Sequence, residues 1–225
     1  MNETTLPVIA ILGGTGDLGT GLARRWAAAG YRVIIGSRSL DKAEAALVDL
    51  QQVMSGRGVS GITVRAMENL AAAEEADIVA LTVPFSHQSS TLEAVRAALE
   101  GKILIDVTVP LVPPRVARVQ LPPQGSAGQI AQALLGEGVR VVSAFQNVAA
   151  HHLQEGHGLS CDVLVCGDSK DARAEVVKLV EAAGMRGIHA GSIANAAAVE
   201  ALTSVLIFVN KQYGIQAGIR VTGLE

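Results

Sequence analysis

One stretch near the start limits the possible folds more than any other: Val8-Ile-Ala-Ile-Leu-Gly-Gly-Thr-Gly-Asp-Leu-Gly19. An apolar run feeds Gly14-x-Gly16-x-x-Gly19, and a helical pattern carrying Leu22, Trp26 and Ala29 follows. Strand, glycine turn and helix in that order is the context in which such a string signals dinucleotide binding. The expected division of labour is a tight turn at Gly14, close approach of a pyrophosphate at Gly16, and helix–strand packing at Gly19. Backbone N–H groups at the helix start would then face the phosphates with the positive end of the dipole.

The next strand refines that reading. Val33-Ile34-Ile35 ends about twenty residues later, where an NAD-selective site places Asp or Glu against the ribose 2′-hydroxyl. This chain has Gly36-Ser37-Arg38 instead, followed by Lys42. A carboxylate there would repel a 2′-phosphate, whereas a hydroxyl and a guanidinium fork attract one. Thr15, inside the glycine turn, supplies another hydroxyl. Ser37 as a mere helix cap and Arg38 as a solvated charge are the competing reading for each residue alone; the set favours NADP(H).

Apolar runs alternate with helical periods almost to the end, the pattern of an α/β, Rossmann-type, doubly wound parallel sheet. The expected layout is an NADP-binding domain over 1–150 and a small C-terminal α/β appendage over 151–225. Ala43, Ala46, Leu47 and Leu50 form one predicted helix face. Ser126 opens another helix as a capping box with Gln129, its face built on Ile130, Ala133 and Leu134. Residues 107–124 hold five prolines and no helical period, and leave the carboxyl end of a central strand. Loops of that kind often carry function. The last helix is expected to rest on Leu202, Val205, Leu206 and Val209.

Composition removes several classes. The 225 residues are 49% hydrophobic with a formal net charge of −3 and no long basic stretch, so nucleic acid is not an expected partner. The longest apolar stretch, Ile193 to Val209, is broken by Asn195 and Glu200, which suits a buried or subunit-interface helix better than a membrane span. Met-Asn-Glu-Thr-Thr at the start lacks the basic-then-apolar layout of a secretion signal, so none is expected. Cys161 and Cys166 bracket a predicted strand, roughly 16 Å apart along it, too far to bridge. They read as core thiols of a cytoplasmic protein.

Catalytic groups are sought and not found. No Tyr is followed four residues on by Lys, and no serine sits in a nucleophile elbow. His151, His152 and His157 lack a completing carboxylate or cysteine at a recognised metal spacing, so no metal is expected. His87, just past Pro84, stands where ligands gather in an open α/β sheet. Reduction of a ketone or imine needs a positioned acid. Hydride exchange between two redox coenzymes mainly requires two rings held face to face without water.

Further motifs add a resemblance. Gly13 to Gly19, Gly36 to Arg38 with Lys42, Leu81-Thr-Val-Pro84 with His87, and Pro110-Leu-Val-Pro113 are similar to the NADPH-dependent oxidoreductases of coenzyme F420, a deazaflavin. The likeness continues through Gly125-Ser-Ala127, Val142-Ser-Ala144, Cys161 to Val165, Gly184 to Gly187 and Asn210 to Thr222. It implies hydride transfer between nicotinamide C4 and deazaflavin C5 in a homodimer joined through the C-terminal part. It places Gly14, Thr15, Gly16, Asp17 and Leu18 on the pyrophosphate side, with Thr15, Ser37, Arg38 and Lys42 around the 2′-phosphate. Val83, Pro84, Phe85 and His87 would lie by the nicotinamide, with Ala150 nearby, and Phe145 to His151 plus part of the last helix would line the deazaflavin pocket. Gln146 and Phe85 depart from the family, whose members often carry His and, in some, Trp there. Two other readings stand beside it: a reductase of flavin or a small carbonyl or imine on the same scaffold, and a non-catalytic NADPH sensor.

Overall fold

β1 (Val8–Leu12) is buried at all five positions because both faces of the central sheet are covered. Ile9 and Ile11 join one core with Leu22, Trp26 and Leu50, while Ala10 and Leu12 join a second with Leu81, Leu92 and Leu104. Alternate residues of one strand thus feed two separate cores, which is why the run reads as continuously apolar. The computed structural model describes residues 6–155 and 159–224; His157 lies outside them.

The order is β1, α1 (Asp17–Ala28), β2 (Arg32–Ser37), α2 (Leu40–Gly56), β3 (Thr63–Glu68), α3 (Asn69–Glu75) and β4 (Ile78–Leu81). A 3-10 turn over Phe85–His87 leads to α4 (Gln88–Val95), then β5 (Ile103–Asp106), α5 (Ala127–Leu135) and β6 (Arg140–Ser143). α6 (Ala150–Gln154), β7 (Asp162–Gly167), α7 (Lys170–Ala182), β8 (Arg186–His189) and α8 (Ala196–Tyr213) complete the chain. The sheet runs β3-β2-β1-β4-β5-β6-β7-β8 and is parallel except between β6 and β7. Strand order reverses between β1 and β4, and an open α/β sheet forms its ligand crevice outside the carboxyl ends at such a point.

The sheet continues unbroken into the C-terminal third, so the expected appendage shares the main sheet. The junction is slender: β7 meets β6 only through Val142–Gly167 and Ser143–Cys166.

Two expectations about helix faces change. α5 begins as expected, with Ser126 Oγ accepting from Gln129 N at 3.0 Å. Its buried side, however, is Ala127, Ala131 and Leu135, not Ile130, Ala133 and Leu134. Small residues face inward because α8 packs closely there; a Cβ on Gly128 would lie 3.0 Å from Ile193 and 3.6 Å from Ala196. α8 buries Ala196, Val199, Glu200 and Ser204, while Val205 and Phe208 are exposed. Periodicity found that helix correctly but did not reveal which face meets the body. Cys166 is buried as expected, whereas Cys161, just outside β7, is only half-buried; both are free thiols.

Candidate functional site

A cleft of about 500 Å³ opens at the carboxyl ends of β1, β2 and β4. The glycine turn forms its floor. Gly13 takes the left-handed conformation at φ +71°, so the residue that makes the turn tight precedes the one expected from the motif. Gly14 is needed for close approach: its N–H donates to Gly36 O at 3.0 Å, and a Cβ there would meet Ile11 O at 2.7 Å. Gly19 packs α1 against the turn, a Cβ on it falling 2.7 Å from Gly14 Cα. Gly16 faces open space, the nearest atom to its missing Cβ being Gly13 O at 4.0 Å. That bare backbone at the start of α1 is a cradle in which a phosphate fits.

Thr15, Gly16, Asp17 and Leu18 line the cleft together with Ser37, Arg38 and Lys42. Val83, Pro84 and His87 form its other end. Three candidates stand elsewhere. Gly14 is buried behind the turn, and neither Phe85 nor Ala150 is among the lining residues. Gly14 therefore shapes the floor through its backbone without opening onto the cleft.

The β2 rim presents its cations to solvent. Ser37 is buried and its Oγ accepts Ser39 N at 3.3 Å, so it fixes the loop and does not cap α2. Ser39 holds the cap position of α2 and makes no side-chain cap bond. Arg38 and Lys42 are exposed, and among the described residues neither side chain has a hydrogen bond or ion pair. No carboxylate lines this end; the cleft's one acid, Asp17, lies at the start of α1.

Sequence reasoning missed Ser39, Asn69, Thr82 and Thr91, which also line the cleft. Asn69 Oδ1 accepts Gly13 N at 3.5 Å and sits where a Cβ on Gly36 would be 3.0 Å away, bracing the turn against β2. Its position just past β3, beside β2 at the ligand edge, was the available signal. Thr82 Oγ1 donates to Leu12 O at 3.0 Å and ties β4 to β1 below the crevice.

Past β6 the chain turns sharply at Phe145, the one non-glycine residue described with positive φ, at +73°. A bulky side chain held there costs on the order of 1–2 kcal/mol and persists only where packing over-determines it. Phe145 is almost fully buried and meets Trp26 edge-on with centroids 6.0 Å apart. The turn drives Gln146 and Asn147 inward instead of into a pocket. Gln146 Nε2 donates to Asp106 O and Ser143 Oγ, both at 2.8 Å, and Asn147 Nδ2 donates to Val199 O at 3.0 Å. The first half of the segment expected to line a second pocket is thus buried. Val148 and Ala149 border a separate cavity of about 250 Å³.

Two buried acids join these parts. Asp106 accepts Thr108 N at 2.9 Å and Thr108 Oγ1 at 2.7 Å and takes a bond from Gln88, the residue after His87. Burial pushes its carboxyl up to about 6 against the pull of those bonds. Glu200 of α8 accepts Ala127 N at 2.7 Å and Gly128 N at 3.0 Å, capping α5 from another helix. Burial pushes it up to about 8 although both N–H bonds favour the ionised form. Both acids brace the scaffold, and neither lines the cleft. Among the described residues no cluster of three or more metal-ligating side chains occurs.

Against known proteins, residues 8–110 match the family model described as NADP oxidoreductase, coenzyme F420-dependent. The F420-dependent NADP reductase of Methanocaldococcus jannaschii is 39% identical over 96% of this chain and 99% of its own. That of Methanothermobacter marburgensis is 41% identical over 96% of this chain and 98% of its own. A solved structure from Arthrobacter sp. FB24, provisionally named an F420-dependent NADP reductase, superposes with TM-score 0.80 at 25% identity, covering 96% of this chain and all of that one. With identity of this level running the length of both sequences, the chain belongs to the F420-dependent NADP reductase family.

Proposed function

We infer that this protein transfers a hydride between NADP(H) and the deazaflavin coenzyme F420. The observation that carries the reading is the rim after β2: Arg38 and Lys42 stand uncommitted beside Ser37 and Ser39, with no acid at that end of the cleft. Such a rim attracts a 2′-phosphorylated ribose and penalises nothing in it. Family membership then supports the second coenzyme.

The two coenzymes supply the redox chemistry, a hydride passing between nicotinamide C4 and the deazaflavin ring. The chain's own work is to bind and orient. The α1 amino end around Gly16 and Leu18 holds the pyrophosphate; Thr15, Ser37, Arg38 and Lys42 hold the 2′-phosphate. Val83, Pro84 and His87 border the nicotinamide end, and Phe85 and Ala150 stand outside the cleft. No covalent intermediate and no dedicated acid is required, which fits buried acids already occupied by scaffold bonds.

Residues 1–150 carry the NADP side, and 151–225 carry the deazaflavin side and the contact between two copies. α8 supports the pairing. The helical stretch Ile193–Tyr213 that contains it is long and apolar enough to cross a membrane by length and composition, and only 33% of its most apolar part is buried. Yet one face is docked on the body through Glu200, leaving Val205 and Phe208 as a stripe that a second copy would cover. We read the protein as a cytoplasmic homodimer whose partners are small-molecule coenzymes, not nucleic acid or membrane.

The test is to mix purified protein with NADPH and oxidised F420 and follow the deazaflavin's visible absorbance. Bleaching that needs NADPH is expected. Turnover of flavin or imines without F420 reduction would favour a different reductase, and tight NADPH binding without any turnover would favour a sensor.

A further inference from the structure

The stretch between β4 and α4 that borders one end of the cleft has little main-chain bonding to the sheet. At its start Thr82 is tied twice to β1, its N–H and its Oγ1 each donating to Leu12 O at 3.0 Å. From Val83 to Ser86, among the described residues, no main-chain group bonds to a strand. His87 N donates within the turn, to Pro84 O at 2.8 Å, and His87 O accepts Thr91 Oγ1 of α4 at 2.7 Å. Those bonds fix the shape of the turn without fixing its place over the sheet.

The next residue does that. Gln88 opens α4 with a fully buried side chain. Its Nε2 donates to Asp106 Oδ2 at the end of β5, to Thr108 Oγ1 at 3.0 Å, and to Ala127 O at the start of α5 at 2.9 Å. The other oxygen of Asp106 accepts both Thr108 N and Thr108 Oγ1, so the carboxylate is held while Gln88 bonds to it. Hydrogen bonds to an ionised acceptor are about twice as strong as neutral ones. One side chain thus joins the turn to β5, to the loop after it and to α5.

A glutamine is a destabilising choice for this position if packing alone is at stake. Its Oε1 has no partner, and an orphaned buried acceptor keeps its full desolvation cost. Methionine has a similar length, adapts to irregular space and carries no such group. Packing therefore does not account for the amide, whereas its N–H donors do. They act just behind Val83, Pro84 and His87, which line the cleft, while Gln88 itself does not.

We propose that Gln88 is a positioning residue for hydride transfer: anchored on Asp106, Thr108 and Ala127, it sets the height of the turn from Pro84 to His87 and so the angle at which the nicotinamide faces the acceptor. The proposal rests on the reading that puts the nicotinamide at this end of the cleft, and adds what holds that end in place. On that reading NADPH affinity comes mainly from phosphates at the α1 amino end and the β2 rim, so loss of the anchor spares binding and spoils alignment. A reacting centre misplaced by about 1 Å loses on the order of 100-fold in rate.

The experiment compares Gln88→Met and Asp106→Asn with the unaltered protein. Gln88→Met keeps the volume and removes all three bonds. Asp106→Asn can keep the Thr108 bonds but turns an amide N–H towards Gln88, setting donor against donor; it keeps the test open if Gln88→Met does not fold. In single turnovers with NADPH and F420 both saturating, followed by deazaflavin absorbance, the hydride step should slow at least tenfold in each variant. The dissociation constant for NADPH, from fluorescence titration, should change less than twofold. A hydride step at the original rate in either folded variant, or NADPH affinity falling as far as the rate does, would overturn the anchor. An unaltered protein that binds NADPH and never reduces F420 would overturn the acceptor reading and the anchor with it. That failure shows in the unaltered protein, whereas failure of the anchor alone shows only in the variants.

Discussion

The two ends of the crevice are built on opposite principles. At the β1–β2–β4 end, Gly13 to Gly19 and Gly36 to Arg38 form the site within two short stretches, and the binding groups are left free of internal partners. At the β6–β8 end the polar side chains tie distant segments together, although Gln88 Oε1, Gln146 Oε1 and Asn147 Oδ1 have no partner. Gln146, Asn147, Asp106 and Glu200 bond across five elements, while the apolar surface of α8 is uncovered. One region is complete in a single chain and waits for a phosphate. The other is tied together by tertiary contacts and leaves the α8 stripe uncovered. Local motifs can encode the first; only tertiary contacts between distant segments can encode the second.

The strongest way to break that contrast is to charge the α8 stripe. Phe208→Asp would place a carboxylate in the surface proposed to meet a second copy, at a cost on the order of 3 kcal/mol or more if it stays ionised there. Analytical ultracentrifugation should show the unaltered protein at twice the chain mass and the variant at the chain mass, with NADPH affinity preserved. A monomeric unaltered protein would remove the pairing. Association of the unaltered protein with lipid vesicles would assign the stripe to a membrane instead.

The next largest effect lies at the other end. Charge-assisted bonds to a phosphate are worth roughly 1.5–3 kcal/mol, so Arg38→Ala should weaken NADPH binding by about 10- to 100-fold. NADH, lacking the 2′-phosphate, should bind within a factor of about two of its original affinity. Fluorescence titration of both nucleotides reads the difference directly. Equal losses would mean that Arg38 supports the fold of the rim and does not read the phosphate.

What was legible follows the same division. The β1 turn, the basic rim and the capping box at Ser126 were visible because each is a few consecutive residues whose chemistry is local. Asn69 and Ser39 were not singled out, since the signal each offers, a place where β3 ends or α2 begins beside β2's carboxyl edge, emerges only once the strand order is known. The inward faces of α5 and α8 were misassigned because hydrophobic period finds an apolar stripe without saying what covers it. On α5 the close approach of α8 selects Ala127, Gly128 and Ala131, and on α8 a buried Glu200 replaces the apolar contact that periodicity anticipates. Phe145 at positive φ was invisible too: no local rule puts a phenyl ring there, and Trp26, far away in sequence, holds it in place.

Glu200 offers the smallest and most discriminating effect. Its carboxyl rises from 4.5 to about 8 on folding, so the native state binds a proton that the unfolded chain releases in between. The stabilisation this provides is complete below the unfolded value and is lost as pH climbs through 8. Asp106 shifts in the same direction but only to about 6, so its contribution has ended before the upper part of that window. Between about pH 6 and pH 8 the slope therefore belongs mainly to Glu200, with Asp106 on β5 and the Cys166 thiol on β7 the titratable groups that interact with it. Glu200→Gln cannot ionise and should flatten that slope by on the order of 1–2 kcal/mol. Urea unfolding at a series of pH values measures it: the unaltered protein should lose stability from pH 6 to 8 and the variant should lose far less. Parallel curves would mean that Glu200 is already ionised at neutral pH, its carboxylate held by the α5 N–H groups more strongly than burial opposes it.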